Sequence, residues 1–224
     1  MRLSSAQLGL LLVIAFSFLT AGCEGGAAYN SARRMNEVRQ IGMAMLSYET
    51  QHGTFPAAGS VNDQGEPLLS WRVAILPFIE QQALYEQFKQ DEPWDSEHNL
   101  ALLKQMPEIF GDDPGGKTRI QVFDGEEAAF HGGRKVTPRD IAKDGMSLTI
   151  MLVETGPDKA VPWTKPADVP FDPTDPAKAL GKIPAAGFIT AFFDGSVRSH
   201  ASSIQPEVLK AMITPAGGEL IPVE

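Results

Sequence analysis

Between Ser31 and His52, apolar side chains fall at Met35, Val38, Ile41, Met45 and Tyr48, three or four residues apart, with Arg33, Arg34, Glu37 and Arg39 among them. That spacing predicts one amphipathic helix whose apolar stripe belongs to a core. Asn30 or Ser31 can cap its start, and Gly53 followed by Pro56 ends it. Gly42 lies on or beside the apolar face, where the missing Cβ suits close packing on a sheet at a cost of about 1 kcal/mol relative to Ala.

Residues 57–70 contain Gly, Asn, Asp and Pro and read as a loop. A largely helical stretch then runs from Ser70-Trp71-Arg72 to about Phe88 and bends or restarts at Pro77. Asp95 or Ser96 can cap a short helix through Met106, stopped by Pro107.

The pattern changes in the second half. Ile120–Phe123, Leu148–Val153 and Phe188–Phe193 are short β-rich runs separated by Gly, Asp and Pro, and they predict an antiparallel sheet. Asp124-Gly125, Asp144-Gly145 and Asp194-Gly195 are turn dipeptides, and the last, between Phe193 and Val197, is the best hairpin candidate. Residues 155–187 are rich in Pro and predict a long surface excursion. A final helix is expected over Pro206–Ile213, followed by Pro215-Ala216-Gly217-Gly218 and an apolar tail.

A chain of 224 residues with 43% hydrophobic and 21% charged residues has enough material for one globular domain with its own core. The formal charge of −9 and the absence of a clustered Lys/Arg run argue against nucleic acid as a partner. A single cysteine excludes an internal disulfide and a Cys-rich zinc site.

That cysteine has its own context. Arg2, the uncharged apolar run Leu8–Leu19 and the small residues before Cys23 have the layout of a secretory signal. Such a run is short for a spanning helix, which needs about 20 residues. The arrangement resembles a lipobox, with residues 1–22 as a lipoprotein signal peptide and Cys23 as the lipidated new N-terminus; Thr20 replaces the usual Leu. Ordinary secretion with cleavage near Ala21 or Gly22 is the alternative. Removing residues 1–22 takes away one positive charge, Arg2, and leaves −10 in place of −9. Residues 23–30, rich in Gly and Ala, read as a tether, and residues 31–224 as a single domain. The expected location is exported and membrane-anchored by lipid, on the periplasmic or cell-surface side.

Several motifs compete for a chemical role. Gly111-Asp112-Asp113-Pro114-Gly115-Gly116-Lys117-Thr118 matches the G-x-x-x-x-G-K-T phosphate loop letter for letter. A working loop opens a helix, whereas Thr118 precedes a β-rich run, and two aspartates would face the phosphates, so no nucleotide is expected. His52, His98, His131 and His200 lack ligand-pair spacing, and Ser147 lacks a G-x-S-x-G elbow, so neither a zinc enzyme nor a hydrolase is favoured. Asp91, Glu92, Asp95 and Glu97 around Trp94 suit either a solvated capping turn or oxygen ligation of Ca²⁺. Trp71, Trp94 and Trp163 suit core or hinge packing and, alternatively, the lining of a solute site.

Seven segments occur in an order that resembles a large planctomycete-expanded family of unknown function. They are Ala32-Arg33-Arg34, Arg39–Ala44, Leu69-Ser70-Trp71-Arg72-Val73, Leu76–Gln81, Glu92-Pro93-Trp94-Asp95-Ser96, Asp144-Gly145-Met146-Ser147 and Phe193-Asp194-Gly195-Ser196-Val197. That family is prepilin-like and is also labelled extracellular solute-binding; the resemblance covers roughly residues 30–221. It implies a pilin or pseudopilin-like α+β fold, with a long N-terminal amphipathic helix packed on an antiparallel sheet and helical and loop insertions. Typical members begin with a prepilin leader and a long spanning helix, where this chain carries the lipoprotein-type signal. Typical members also place a His ahead of the Asp-Gly with nine residues between, and this chain has Pro184 there.

Together these readings predict a non-catalytic, lipid-anchored envelope protein with a structural or interaction role, the alternative being an extracellular solute-binding lipoprotein and, less favoured, an envelope hydrolase. No catalytic residue, metal or cofactor is expected. Expected partners are the membrane, through the lipid, and other envelope proteins or a small solute. Trp71, Trp94, Asp95 and Trp163 are the candidate ligand or partner surface.

Overall fold

The computed structural model describes residues 5–143 and 145–215, with side chains from Tyr29 onward. The first helix, α1 (Ser5–His52), contains the expected amphipathic stretch. Residues 23–30, read as a tether, run in helical backbone continuous with it. The side chain of Cys23 and the tail after Pro215 lie outside the described residues. Val38, Ile41, Ala44 and Met45 are buried. The helix stops at Gly53, whose φ is 72° and whose N–H donates to Glu49 O at 2.7 Å.

The stretch 57–70 departs from expectation. It is a hairpin of β1 (Gly59–Val61) and β2 (Pro67–Ser70), not a loop. Its strands are too short to show alternation, and its turn is held by Asn62, whose Oδ1 accepts from the N–H of Gln64 at 3.0 Å and of Glu66 at 2.8 Å.

The helical stretch after Ser70 is broken into pieces. These are α2 (Trp71–Ala74), a 3₁₀ turn (Leu76–Ile79) and α3 (Gln82–Tyr85). Pro77 cannot continue the ladder, and Glu80 adopts a left-handed φ of 61°. Next comes α4 (Glu97–Ala101), capped by Ser96 Oγ, which accepts from Asn99 N at 3.1 Å. It runs on as 3₁₀ turns over Leu102–Gln105 and Glu108–Phe110.

The strands of the second half are β3 (Lys117–Thr118), β4 (Ile120–Gln121), β5 (Phe123–Asp124) and β6 (Ile150–Glu154), with α5 (Pro138–Ile141) between the last two. They are followed by β7 (Val161–Pro162), β8 (Val169–Pro170), β9 (Phe188–Phe192), β10 (Val197–His200) and α6 (Pro206–Ile213). The main sheet is antiparallel in the order β10-β9-β6-β4. Two further antiparallel pairs, β1-β2 and β3-β7, and one parallel pair, β5-β8, flank it. The class is α+β.

Strand β9 is buried along its whole length, and its alternation separates two cores. Ile189, Ala191 and Phe193 join α1 in the larger one, whereas Phe188 and Phe192 join Leu209, Met212 and Ile213 of α6 in the smaller. One helix therefore covers each face of the sheet. A Cβ on Gly42 would lie 3.5 Å from Met151 Cε and 3.6 Å from Ala191 Cβ, ordinary contact distances, so Gly42 faces the sheet without being required by it. The β9–β10 hairpin turns at Asp194-Gly195 as expected, with Gly195 at φ 83° and Asp194 Oδ1 accepting from Ser196 N at 2.8 Å.

Residues 155–187 are a surface excursion only in part: Pro157–Lys159, Asp172, Thr174 and Asp175 are exposed, but the segment also dips into the core. Trp163, Thr164, Val169 and Leu180 are buried, and the side chain of Asp168 is 1% exposed. The segment is Pro-rich and has little regular backbone, and it alternates between buried and exposed positions.

Candidate functional site

Two arginine–carboxylate clusters carry most of the interior charge. The first begins at the Ser-Trp-Arg segment. Ser70 caps α2, which turns Arg72 into the core, where it is fully buried. Nε and Nη2 of Arg72 donate to Ile120 O at 3.0 and 2.8 Å, Nη1 to Ser70 Oγ at 2.8 Å, and Nη2 also to Asp168 Oδ1 at 2.7 Å. The same Oδ1 accepts from Val122 N at 3.0 Å and from Trp71 Nε1 at 3.2 Å. Burial pushes the Asp168 carboxyl up and the Arg72 guanidinium down from their ordinary values, and each charge opposes the other's shift. This cluster joins α2, β4 and the 155–187 segment, and it is sealed from solvent.

The tryptophans belong largely to that sealed interior. Trp71 and Trp163 are 1% and 0% exposed and both meet Phe110, Trp163 by stacking at 5.8 Å and Trp71 edge-on at 6.4 Å. Trp163 Nε1 donates to Leu103 O at 2.9 Å. A cleft of about 290 Å³ beside the β1–β2 hairpin reaches Trp71, yet almost none of the ring is exposed. Of the four residues Trp71, Trp94, Asp95 and Trp163, the structure places the indoles of Trp71 and Trp163 in the core against Phe110. Trp94 is half-buried under Lys165, whose Nζ lies 5.3 Å from its ring, and Asp95 is exposed.

The acidic turn around Trp94 is organised by a residue the sequence did not single out. Asn99 is buried; its Oδ1 accepts from Lys89 N, and its Nδ2 donates to the carbonyls of Lys89, Glu92 and Pro93 at 3.0–3.1 Å. Among the described residues no group of three or more His, Cys, Asp or Glu is arranged to hold a metal ion.

The second cluster is open. Glu154, at the end of β6, is 5% exposed and stands between two arginines. Arg34 Nη2 on α1 donates to Glu154 Oε2 at 2.5 Å, and Arg119 Nη2 lies 3.3 Å from Oε1. Arg119 Nε donates to Thr155 O at 2.8 Å. Arg34 Nε is buried without a hydrogen bond, and the contact of buried Arg119 Nη2 with Glu154 is an ion pair without hydrogen-bond geometry. All three residues line a groove of about 680 Å³ between α1 and the 110–119 segment, and Lys117 lines it too.

The segment Gly111–Thr118 forms one wall of this groove, with a geometry unlike a phosphate loop. It leads into strand β3, which pairs with β7. Asp113 Oδ1 accepts from the N–H of Gly115 and Lys117 at 2.8 and 3.3 Å, and Thr118 Oγ1 donates to Phe110 O at 2.7 Å. Gly116, at φ 70°, approaches Leu103 so closely that a Cβ would come within 2.3 Å of its carbonyl oxygen. The glycines thus serve the turn and its packing.

Residues 26–124 match the model of a family described as "Protein of unknown function (DUF1559)", which carries a solute-binding label, SBP_bac_10. The match includes Arg34, Lys117 and Arg119 and ends before Glu154 and Asp168. No curated protein and no solved structure matches the chain.

Proposed function

We propose that this chain is an exported, lipid-anchored module of the cell envelope, with a pseudopilin-like α+β domain and a non-catalytic binding or interaction role. The observation that carries the reading is α1, which lies along an antiparallel sheet and leads back to the apolar run and to Cys23. A helix that packs at one end and carries an export signal at the other suits a domain held at a membrane by its N-terminus. The test expresses the full-length chain and Cys23→Ser in a bacterium, fractionates the cells and measures the mature mass. The expected result is a lipid-modified Cys23, with modification and membrane association both lost in the variant. A soluble, unmodified wild-type chain would overturn the anchor.

A second reading, an extracellular solute-binding lipoprotein, is favoured by the groove beside Glu154. Concave sites with a few convergent polar groups are the usual form of small-molecule sites, and about 680 Å³ falls within their range of about 300–1,000 Å³. The matched family's solute-binding label agrees with it. A solute library screened by thermal unfolding tests it, because a ligand of the native state raises apparent stability. Absence of any stabilising solute would leave the interaction role alone.

A further inference from the structure

We propose that the groove between α1 and the 110–119 segment binds a small zwitterionic solute, an amino acid or short peptide with free termini. Its carboxylate meets Arg34, Lys117 and Arg119, and its ammonium meets Asp112 and Asp113. The inference rests on the solute-binding reading and assigns that site its ligand class.

The first support is charge placement. Arg34 and Arg119 share the single carboxylate of Glu154, so one positive charge is uncompensated there. Lys117 makes no ion pair among the described residues and adds a second to the same wall. The adjoining groove of about 720 Å³ shares Arg33, Glu37, Asp112 and Asp113 with this one but contains none of Arg34, Lys117, Arg119 and Glu154. The shared border therefore carries three carboxylates against Arg33, which pairs with Glu37 at 2.7 Å and reaches Asp112 only at 4.0 Å, so the border keeps a net negative charge. The groove as a whole is neutral and is divided into a cationic wall and an acidic border. A simple anion or cation would satisfy one end only, whereas a zwitterion satisfies both.

The second support is independent of net charge. Arg34 Nε is a buried donor without a hydrogen-bond partner, and Arg119 Nη2 meets Glu154 Oε1 at 3.3 Å as an ion pair without hydrogen-bond geometry, so neither donor is fully used by the protein. Guanidinium groups presented in pairs match the planar, bidentate geometry of a carboxylate. Arg34 comes from α1 and Arg119 from the loop between β3 and β4, so a ligand carboxylate there also ties the helix to the sheet.

The test is isothermal titration of the purified full-length chain in detergent with trialanine, with its C-terminal amide, with its N-acetyl form and with alanine. Trialanine is expected to bind saturably, and the amide to lose about tenfold or more in affinity, because it cannot accept the charge-assisted hydrogen bonds of the guanidinium groups. Acetylation weakens binding less, since Asp112 is largely exposed to solvent. Alanine separates a single amino acid from a peptide as the ligand. Arg119→Gln is expected to cost about tenfold. Lys117→Gln, at an exposed residue without an ion pair, gives the same direction even if the arginine variant does not fold. Asp112→Asn should reduce the difference between free and acetylated peptide. Equal affinity for the amide, indifference to Lys117→Gln, or no saturable binding to the folded wild-type chain overturns the inference. In those cases a stabilising solute of another class in the library screen leaves the solute-binding reading standing, whereas a screen with no stabilising solute removes both.

Discussion

Arg72–Asp168 and Arg34–Glu154–Arg119 are built from the same chemistry and do opposite things. In the first, one arginine meets one carboxylate with exposures of 0% and 1%, and most donors find a fixed protein acceptor, with Asp168 Oδ2 the atom left over. In the second, two arginines share one carboxylate, at 25% and 30% exposure, and donors are left over. A balanced, sealed pair fixes three chain segments against one another. An unbalanced pair beside a groove keeps polar capacity for a ligand. The distinction is one of stoichiometry and access, not of residue type.

The largest effect expected from this contrast is at Asp168. Asp168→Asn leaves the buried Arg72 charge without its counter-ion and should cost about 3–5 kcal/mol in urea denaturation. A double replacement, Arg72→Met with Asp168→Leu, should recover only part of that loss, because Ile120 O, Val122 N–H and Trp71 Nε1 would then lack partners. A single variant within about 1 kcal/mol of wild type would show that the pair is not the anchor described.

At Glu154 the effect should be smaller and should depend on salt. Glu154→Gln releases two arginines that can reach water, so the expected loss is about 1–3 kcal/mol. High salt should narrow the gap between variant and wild type, since partly exposed charges are screened more than buried ones. If Glu154→Gln proved as costly as Asp168→Asn, and equally insensitive to salt, the two clusters would be of one kind.

The contrast was only half legible in the sequence. Helix α1, the β9–β10 hairpin and α6 could be read because a helical stripe, an Asp-Gly between β-rich runs and a Pro at a helix start are local signals. Arg33-Arg34 and Ser70-Trp71-Arg72 stood out as segments, but their partners did not. Glu154 is 120 residues from Arg34, and Asp168 is 96 from Arg72. Asp168 also sits in a Pro-rich stretch whose composition suggests a surface. Burial there comes from tertiary pairing of β5 with β8 and of β3 with β7, which no local pattern encodes. One signal was available for Glu154: a carboxylate closing an apolar strand run is a candidate for burial with a counter-ion.

The smallest effect concerns a third polar group, one without any counter-ion. His200, at the end of β10, has its Nε2 2.8 Å from Thr190 Oγ1 and its ring 5.2 Å from that of Phe188. Burial lowers its pKa below the ordinary histidine value, and the charge of Arg198 adds to the shift. The folded state therefore favours the neutral ring, hydrogen-bonded through Nε2 to the threonine hydroxyl. The unfolded chain takes up its proton near pH 6.5. Stability from this residue is thus complete above about pH 6.5 and is lost as the pH falls through that value toward the folded pKa. Urea midpoints should drop between pH 7.5 and 5.5 in the wild type and change less in His200→Gln. Both paired clusters are left intact by that substitution, so an unchanged slope in the variant would show that His200 does not carry the pH response.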